Sequence, residues 1–92
     1  MLFDTSLSWR LNPRVAVRPE PFGALLYHFG TRKLSFLKDL VVVDLVRTLH
    51  THPSADDALD AAPVAPADRP RYVRTLDALC GSGMIIPATD QE

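Results

Sequence analysis

The sequence predicts an α+β fold, a three-stranded antiparallel N-terminal sheet followed by a three-helix unit. Three observations predict it. Apolar and polar residues alternate with period 2 between Arg14 and Leu37, in runs joined by connections too short for a crossover. From Leu37 onward the apolar residues recur at helical spacing. Most prolines and glycines fall between these runs rather than inside them.

Residues 1–9 have no period and read as an N-terminal arm, loose except for one large side chain, Trp9. The stretch 10–87 reads as a single folded domain and 88–92 as a flexible tail. "RVAVR" (Arg14 to Arg18) is a half-buried strand with Val15 and Val17 on one face. Pro19 and Pro21 end it, because proline cannot donate to a ladder. "ALLYHFG" (Ala24 to Gly30) is the second strand, with Leu25, Tyr27 and Phe29 on one face and Ala24, Leu26 and His28 on the other. "KLSFL" (Lys33 to Leu37) is the third, a short strand with an exposed edge.

Leu37, Leu40, Val41, Leu45 and Leu49 then form the stripe of a first helix. The valines at 41–43 are weak helix formers, but Asp44, Arg47 and Thr48 occupy the other faces and decide for helix over strand. His52-Pro53 ends it. Ser54 caps a second helix with an acidic first turn, Asp56 and Asp57. After a proline-rich connector, Asp68 caps the last helix, whose stripe is Tyr72, Val73, Leu76, Leu79 and Cys80. Gly81 and Gly83 close it, and "MIIP" (Met84 to Pro87) is a short extended segment. This order is the arrangement of a winged helix-turn-helix domain.

The composition sets limits on chemistry. The chain has 92 residues, 47% of them hydrophobic and 23% charged, a balance that suits one small core. A net charge of -1 does not favour nucleic acid. The one cysteine, Cys80, rules out an internal disulfide and fits a cytoplasmic location. No signal segment is visible, and the apolar run Leu40 to Val43 is far too short to span a bilayer, so no membrane partner is expected. There is no phosphate loop, no G-x-S-x-G and no H-E-x-x-H. His50 and His52 lack further metal ligands nearby, and Cys80 lies on a core stripe, so neither a metal, a cofactor nor a nucleophile is expected. His28 reads as a surface or cross-strand residue. Trp9 is either an anchor for the arm or a binding hot spot.

The charges are unevenly distributed. Arg32, Lys33 and Lys38 surround the third strand, Arg69, Arg71 and Arg74 lie on the first half of the last helix, and Asp56, Asp57 and Asp60 make the middle helix acidic. On a helical wheel Arg71, Thr75, Ala78 and Ser82 share one flank of the core stripe. If that flank lies beside the third strand, the two make a groove for an added strand, in which backbone hydrogen bonds supply affinity and side chains supply selectivity.

"RLNPRVAVRPEPFGALLYHFGTRKLSFLKD" resembles the start of the peptide chaperones of the mycofactocin system, and the likeness continues to "LCGSGMI". More broadly the chain is similar to the PqqD-like RiPP recognition elements, a winged helix-turn-helix family. The resemblance implies a non-catalytic chaperone that binds the acidic leader of a precursor peptide. The leader would add as a strand to the third strand and lie against the third helix. On this chain that edge is Arg32, Lys33, Leu34, Ser35, Phe36 and Leu37, and the facing helix presents Arg71, Arg74, Thr75 and Ala78. The resemblance also implies a partner, a radical S-adenosylmethionine maturase that decarboxylates a C-terminal tyrosine and cross-links it to the preceding valine. Its clusters belong to the maturase, since one cysteine cannot hold them. The competing reading is a winged-helix DNA-binding regulator. Strand exchange into a homodimer through the same edge is a further expectation.

Overall fold

The computed structural model describes residues 3–88. It is α+β, with a three-stranded antiparallel sheet and three helices, and a second sheet that the periodicity does not announce. In chain order the strands are β1 (Trp9–Leu11), β2 (Val15–Glu20), β3 (Gly23–His28) and β4 (Leu34–Leu37). The helices α1 (Leu40–Thr48), α2 (Ala55–Ala61) and α3 (Arg69–Gly81) follow, and β5 (Ile85–Pro87) ends the fold. The main sheet has the order β2-β3-β4, so β4 is paired on one side only; β1 pairs with β5.

Several boundaries differ from the sequence expectation, each for a local reason. β2 continues through Pro19, which pairs with Ala24. It is an edge strand, where a missing donor can face solvent. β3 begins at Gly23, whose φ of 149° and contact with β4 leave no room for a side chain: a Cβ there would overlap the Leu37 carbonyl oxygen. β3 ends at His28, which is buried rather than exposed. Its Nδ1 accepts from the backbone N–H of Gly30 at 3.0 Å and of Thr31 at 3.1 Å, and so holds the connection to β4. In that connection Arg32 takes a left-handed φ of 63°, and β4 starts at Leu34 rather than Lys33.

The first helix begins three residues later than its apolar stripe. Leu37 is the last residue of β4, and Leu40 at the first helical position is 65% exposed. Asp39 is the reason: it is the N-cap, and its Oδ1 accepts from Val41 N–H at 2.8 Å. Val42, Val43, Leu45, Val46 and Leu49 then face the core. Ser54 caps α2 as its sequence predicts, accepting from Asp57 N–H at 3.1 Å. Asp68 stands at the start of α3 without a side-chain capping bond, and a 3-10 turn, Pro66–Asp68, leads in instead.

The stripe of α3 is buried as expected at Tyr72, Leu76, Leu79 and Cys80. Its end is a Schellman motif: Met84 N–H donates to Leu79 O at 2.9 Å and Gly83 N–H to Cys80 O at 3.0 Å, with Gly83 at φ 78°. The chain leaves that motif directly into β5.

Where the sequence suggests a loose arm, Trp9 opens β1 opposite Pro87 and is 1% exposed. Its Nε1 donates to Asp4 O at 2.8 Å and Phe3 lies 4.9 Å from its ring. Thr5 and Leu7 carbonyls accept from Asp56 and Ala55 N–H, both at 2.9 Å, satisfying donors at the start of α2. A three-residue strand is too short to show a period, which is why β1 and β5 are not readable from pattern. The expected tail covers Ala88, whose N–H donates to Ser8 O at 2.8 Å, and residues 89–92, which lie outside the described residues.

Gly23→Ala should destabilise the domain by more than about 2 kcal/mol, because both the backbone angle and the Leu37 carbonyl oppose a methyl group. Urea unfolding followed by circular dichroism measures it; a change within a few tenths of a kcal/mol would contradict the close packing of β3 on β4.

Candidate functional site

The open edge of β4 faces one flank of α3, and the space between them is a groove of about 440 Å³. Ser35, Phe36 and Leu37 form one wall; Arg71, Arg74, Thr75, Ala78 and Leu79 form the other. The helical flank read from the wheel thus meets the strand read from alternation. Seven of the ten candidate residues line this one groove. Arg32, Lys33 and Leu34 do not. Arg32 and Lys33 are exposed at the β3–β4 turn, and Leu34, 53% exposed, stands at the head of β4.

A second hollow of about 680 Å³ continues past Leu37 to Asp39, Leu40 and Val42, sharing Phe36, Arg71 and Thr75 with the first. Together they run beside Ser35 to Leu37 of β4 and the start of α1. Four strand residues extend about 13 Å, which sets the length of chain this edge can pair.

Asp39 organises the floor where the two hollows meet. Its Oδ2 accepts from the Tyr72 hydroxyl at 2.7 Å and lies 3.7 Å from Arg71 Nη1. The Arg71 guanidinium sits 4.6 Å above the Tyr72 ring. The Tyr72 hydrogen bond, with the Val41 and Val42 N–H groups and then Arg71 acting in the same direction, holds the Asp39 carboxyl below its ordinary pKa; the same bond pushes the Tyr72 phenol up. Sequence reasoning missed Asp39, although an Asp directly before an apolar run is a cap signal.

The remaining charges divide differently from their order in the chain. Arg69 turns away from the groove and binds α2, 3.0 Å from Asp56 and 2.6 Å from Asp60, so it neutralises the acidic helix. Arg71 is held by Asp39. Arg74 is exposed, lines the groove and makes no ion pair with a described residue. The groove therefore carries a net positive wall above an apolar floor.

Nothing in the groove is arranged for bond chemistry. Burial pushes the Cys80 thiol up, away from the thiolate a nucleophile needs. Among the described residues no group of three or more His, Cys, Asp or Glu side chains could hold a metal ion. Among the described residues no helix is long and apolar enough to cross a membrane.

An antiparallel three-stranded sheet with an open edge against the third helix is the architecture of a PqqD-like RiPP recognition element. The family profile described as "Peptide chaperone MftB family" matches residues 8–86. The "Peptide chaperone MftB" of Mycolicibacterium smegmatis is 55% identical over 89 residues, covering 97% of this chain and 87% of that one. The protein of the same name from Mycobacterium tuberculosis is 53% identical over 85 residues, covering 92% and 78%. Among solved structures, a lasso peptide synthetase B1 complexed with its leader peptide superposes with a TM-score of 0.64 at 25% identity, over 87% of this chain and 99% of that one. Escherichia coli MccB in complex with MccA-N7isoAsn shares the fold, with a TM-score of 0.55 at 22% identity over 91% of this chain and 24% of that one. The chain belongs to the Peptide chaperone MftB family. It is a non-catalytic peptide chaperone.

Tyr72→Phe should cost about 1 kcal/mol at neutral pH, the worth of one hydrogen bond to a carboxylate with modest exposure. Asp39 has a depressed folded pKa, so its contribution is complete above the unfolded carboxylate value of about 3.9 and is lost as pH falls through the folded value. The stability gap between parent and variant should therefore shrink in acid. Urea midpoints at neutral and acidic pH read it, and a gap that stays constant would show that the ionised form of Asp39 is not what Tyr72 holds.

Proposed function

We propose that this chain binds the leader of the mycofactocin precursor peptide as a fourth strand on β4 and presents it to a radical S-adenosylmethionine maturase. One observation carries the reading: the unpaired edge of β4 lies beside a groove whose other wall is the basic, small-residue flank of α3. Membership of a peptide-chaperone family and the fold shared with a leader-bound synthetase B1 support it. The three strands and three helices are then used as a winged helix-turn-helix, with 10–87 as the peptide-binding domain, 1–9 as its arm and 88–92 as its tail.

In this reading the backbone of Leu34 to Leu37 pairs with the leader, and alternate leader side chains enter the groove over Leu37, Thr75 and Ala78. Arg74 and Arg71 meet its acidic residues, and Arg32 and Lys33 attract it to the end of the strand. These charges speed encounter and set register more than they add affinity. The maturase supplies its own clusters and cofactor, and the chaperone needs none. The setting is the cytoplasm, where maturase and precursor meet. Strand exchange between two copies would use the same edge and compete with the leader.

Ala78→Trp fills the groove without touching the core stripe, and Arg74→Glu reverses a charge on the groove wall at a residue that takes no part in the Asp39, Arg71 and Tyr72 contacts. Each should weaken leader binding tenfold or more, and the effect of Arg74→Glu should shrink as salt is added. Calorimetric titration of folded variants with the precursor peptide is the measurement. Unchanged binding by both would remove the leader from this groove.

A further inference from the structure

The outer face of the main sheet, opposite the core, is apolar across β3 and β4, with Arg18 beside it on β2, and no other described residues cover it. The register sets Leu25 opposite Phe36 and Tyr27 opposite Leu34 on that face. Phe22 lies 6.2 Å from Phe36, and Tyr27 meets Phe29 edge-on at 4.9 Å. Phe29 is 63% exposed and Phe36 59%, in a domain whose core is otherwise well closed. Solvent-facing strand positions are where an antiparallel sheet normally places polar residues. Aromatic side chains clustered on β3, β4 and the turns beside them instead mark an interaction surface.

The rim says what covers it. From Arg14 to Lys38 the sheet carries five cations, Arg14, Arg18, Arg32, Lys33 and Lys38, and one carboxylate, Glu20, which Arg18 already holds at 3.0 Å. Two copies packed face to face would bring cations from both sheets together, which costs several kcal/mol. A hollow of about 310 Å³ between Phe22, Phe36 and Lys38 offers two aromatic rings beside one cation. Phe36 also lines the leader groove, so the two surfaces are continuous.

We infer that this face is a second docking surface, for a folded protein with an apolar centre and an acidic rim, and that this protein is the enzyme receiving the peptide. The occupant's identity rests on the leader-presenting role proposed above; the surface and its chemistry do not. The enzyme docks through aromatic anchors and is oriented by the cations, while the peptide is held one strand away.

The test uses the full chain, the radical S-adenosylmethionine maturase and the precursor peptide, with two binding constants measured separately. Phe29→Ser and Arg18→Glu lie outside the leader groove, and each is first shown to unfold cooperatively as the parent does. Both should weaken maturase binding tenfold or more while leaving peptide binding within twofold. The loss from Arg18→Glu should narrow at high salt and that from Phe29→Ser should not. If the parent does not bind the maturase, or both variants bind it unchanged, the inference is overturned. It is equally overturned if sedimentation shows a parent dimer abolished by Phe29→Ser, or if the parent binds phosphatidylglycerol vesicles through Phe29, since the occupant is then a second copy or a lipid surface. A failure of the leader groove registers only in the peptide constant and in the Ala78→Trp variant, so the two readings fail separately.

Discussion

The structure depends most on one carboxylate. Asp39 stands at the corner where β4 ends and α1 begins, and each of its oxygens serves a different element. Oδ1 starts α1 by taking the Val41 N–H, and Oδ2 takes the Tyr72 hydroxyl from α3. A single side chain thereby fixes the sheet, the first helix and the last helix relative to one another. Because it also lies near Arg71, it sets where the groove's first cation points. The bond to a neutral phenol keeps the carboxylate charged without a buried ion pair, whose desolvation would be costly.

The groove stays open because two constraints keep β4 in place from its paired side alone. Gly23 lets β3 approach the Leu37 backbone more closely than any side chain would permit. His28 accepts two backbone N–H groups and orders the turn that leads in. Neither touches the open edge. Rigidity supplied from behind means that an incoming chain meets a preformed strand, and the entropy of ordering falls on the ligand alone.

Much of this was legible in the sequence because the two periods are clean. Alternation located β2, β3 and β4, and the 3.6 repeat of Tyr72, Leu76 and Leu79 located α3 and, by rotation, its small flank. The groove followed from combining those two. What stayed hidden was whatever lacked a period or crossed between elements. Trp9–Leu11 and Ile85–Pro87 define each other as strands only when paired, 74 residues apart or more from end to end of the domain. Arg69 and Arg71 are near neighbours in the chain, yet one is held by α2 and the other by Asp39, a division no wheel reveals. His28 shared its face with Ala24 and Leu26, so its burial was implied by alternation, but a histidine there reads as polar until its two backbone donors are seen. The outer apolar face was visible as Leu25, Tyr27 and Phe29; that no other described residues cover it was not.

The pairing of β1 with β5 brings the way into the domain and the way out of it side by side, Trp9 against Pro87. Neither strand lines the groove. A fold closed in this manner is portable: it can be spliced into or onto a larger chain at one point, with its working edge left untouched. The same fold forms about a quarter of the MccB chain.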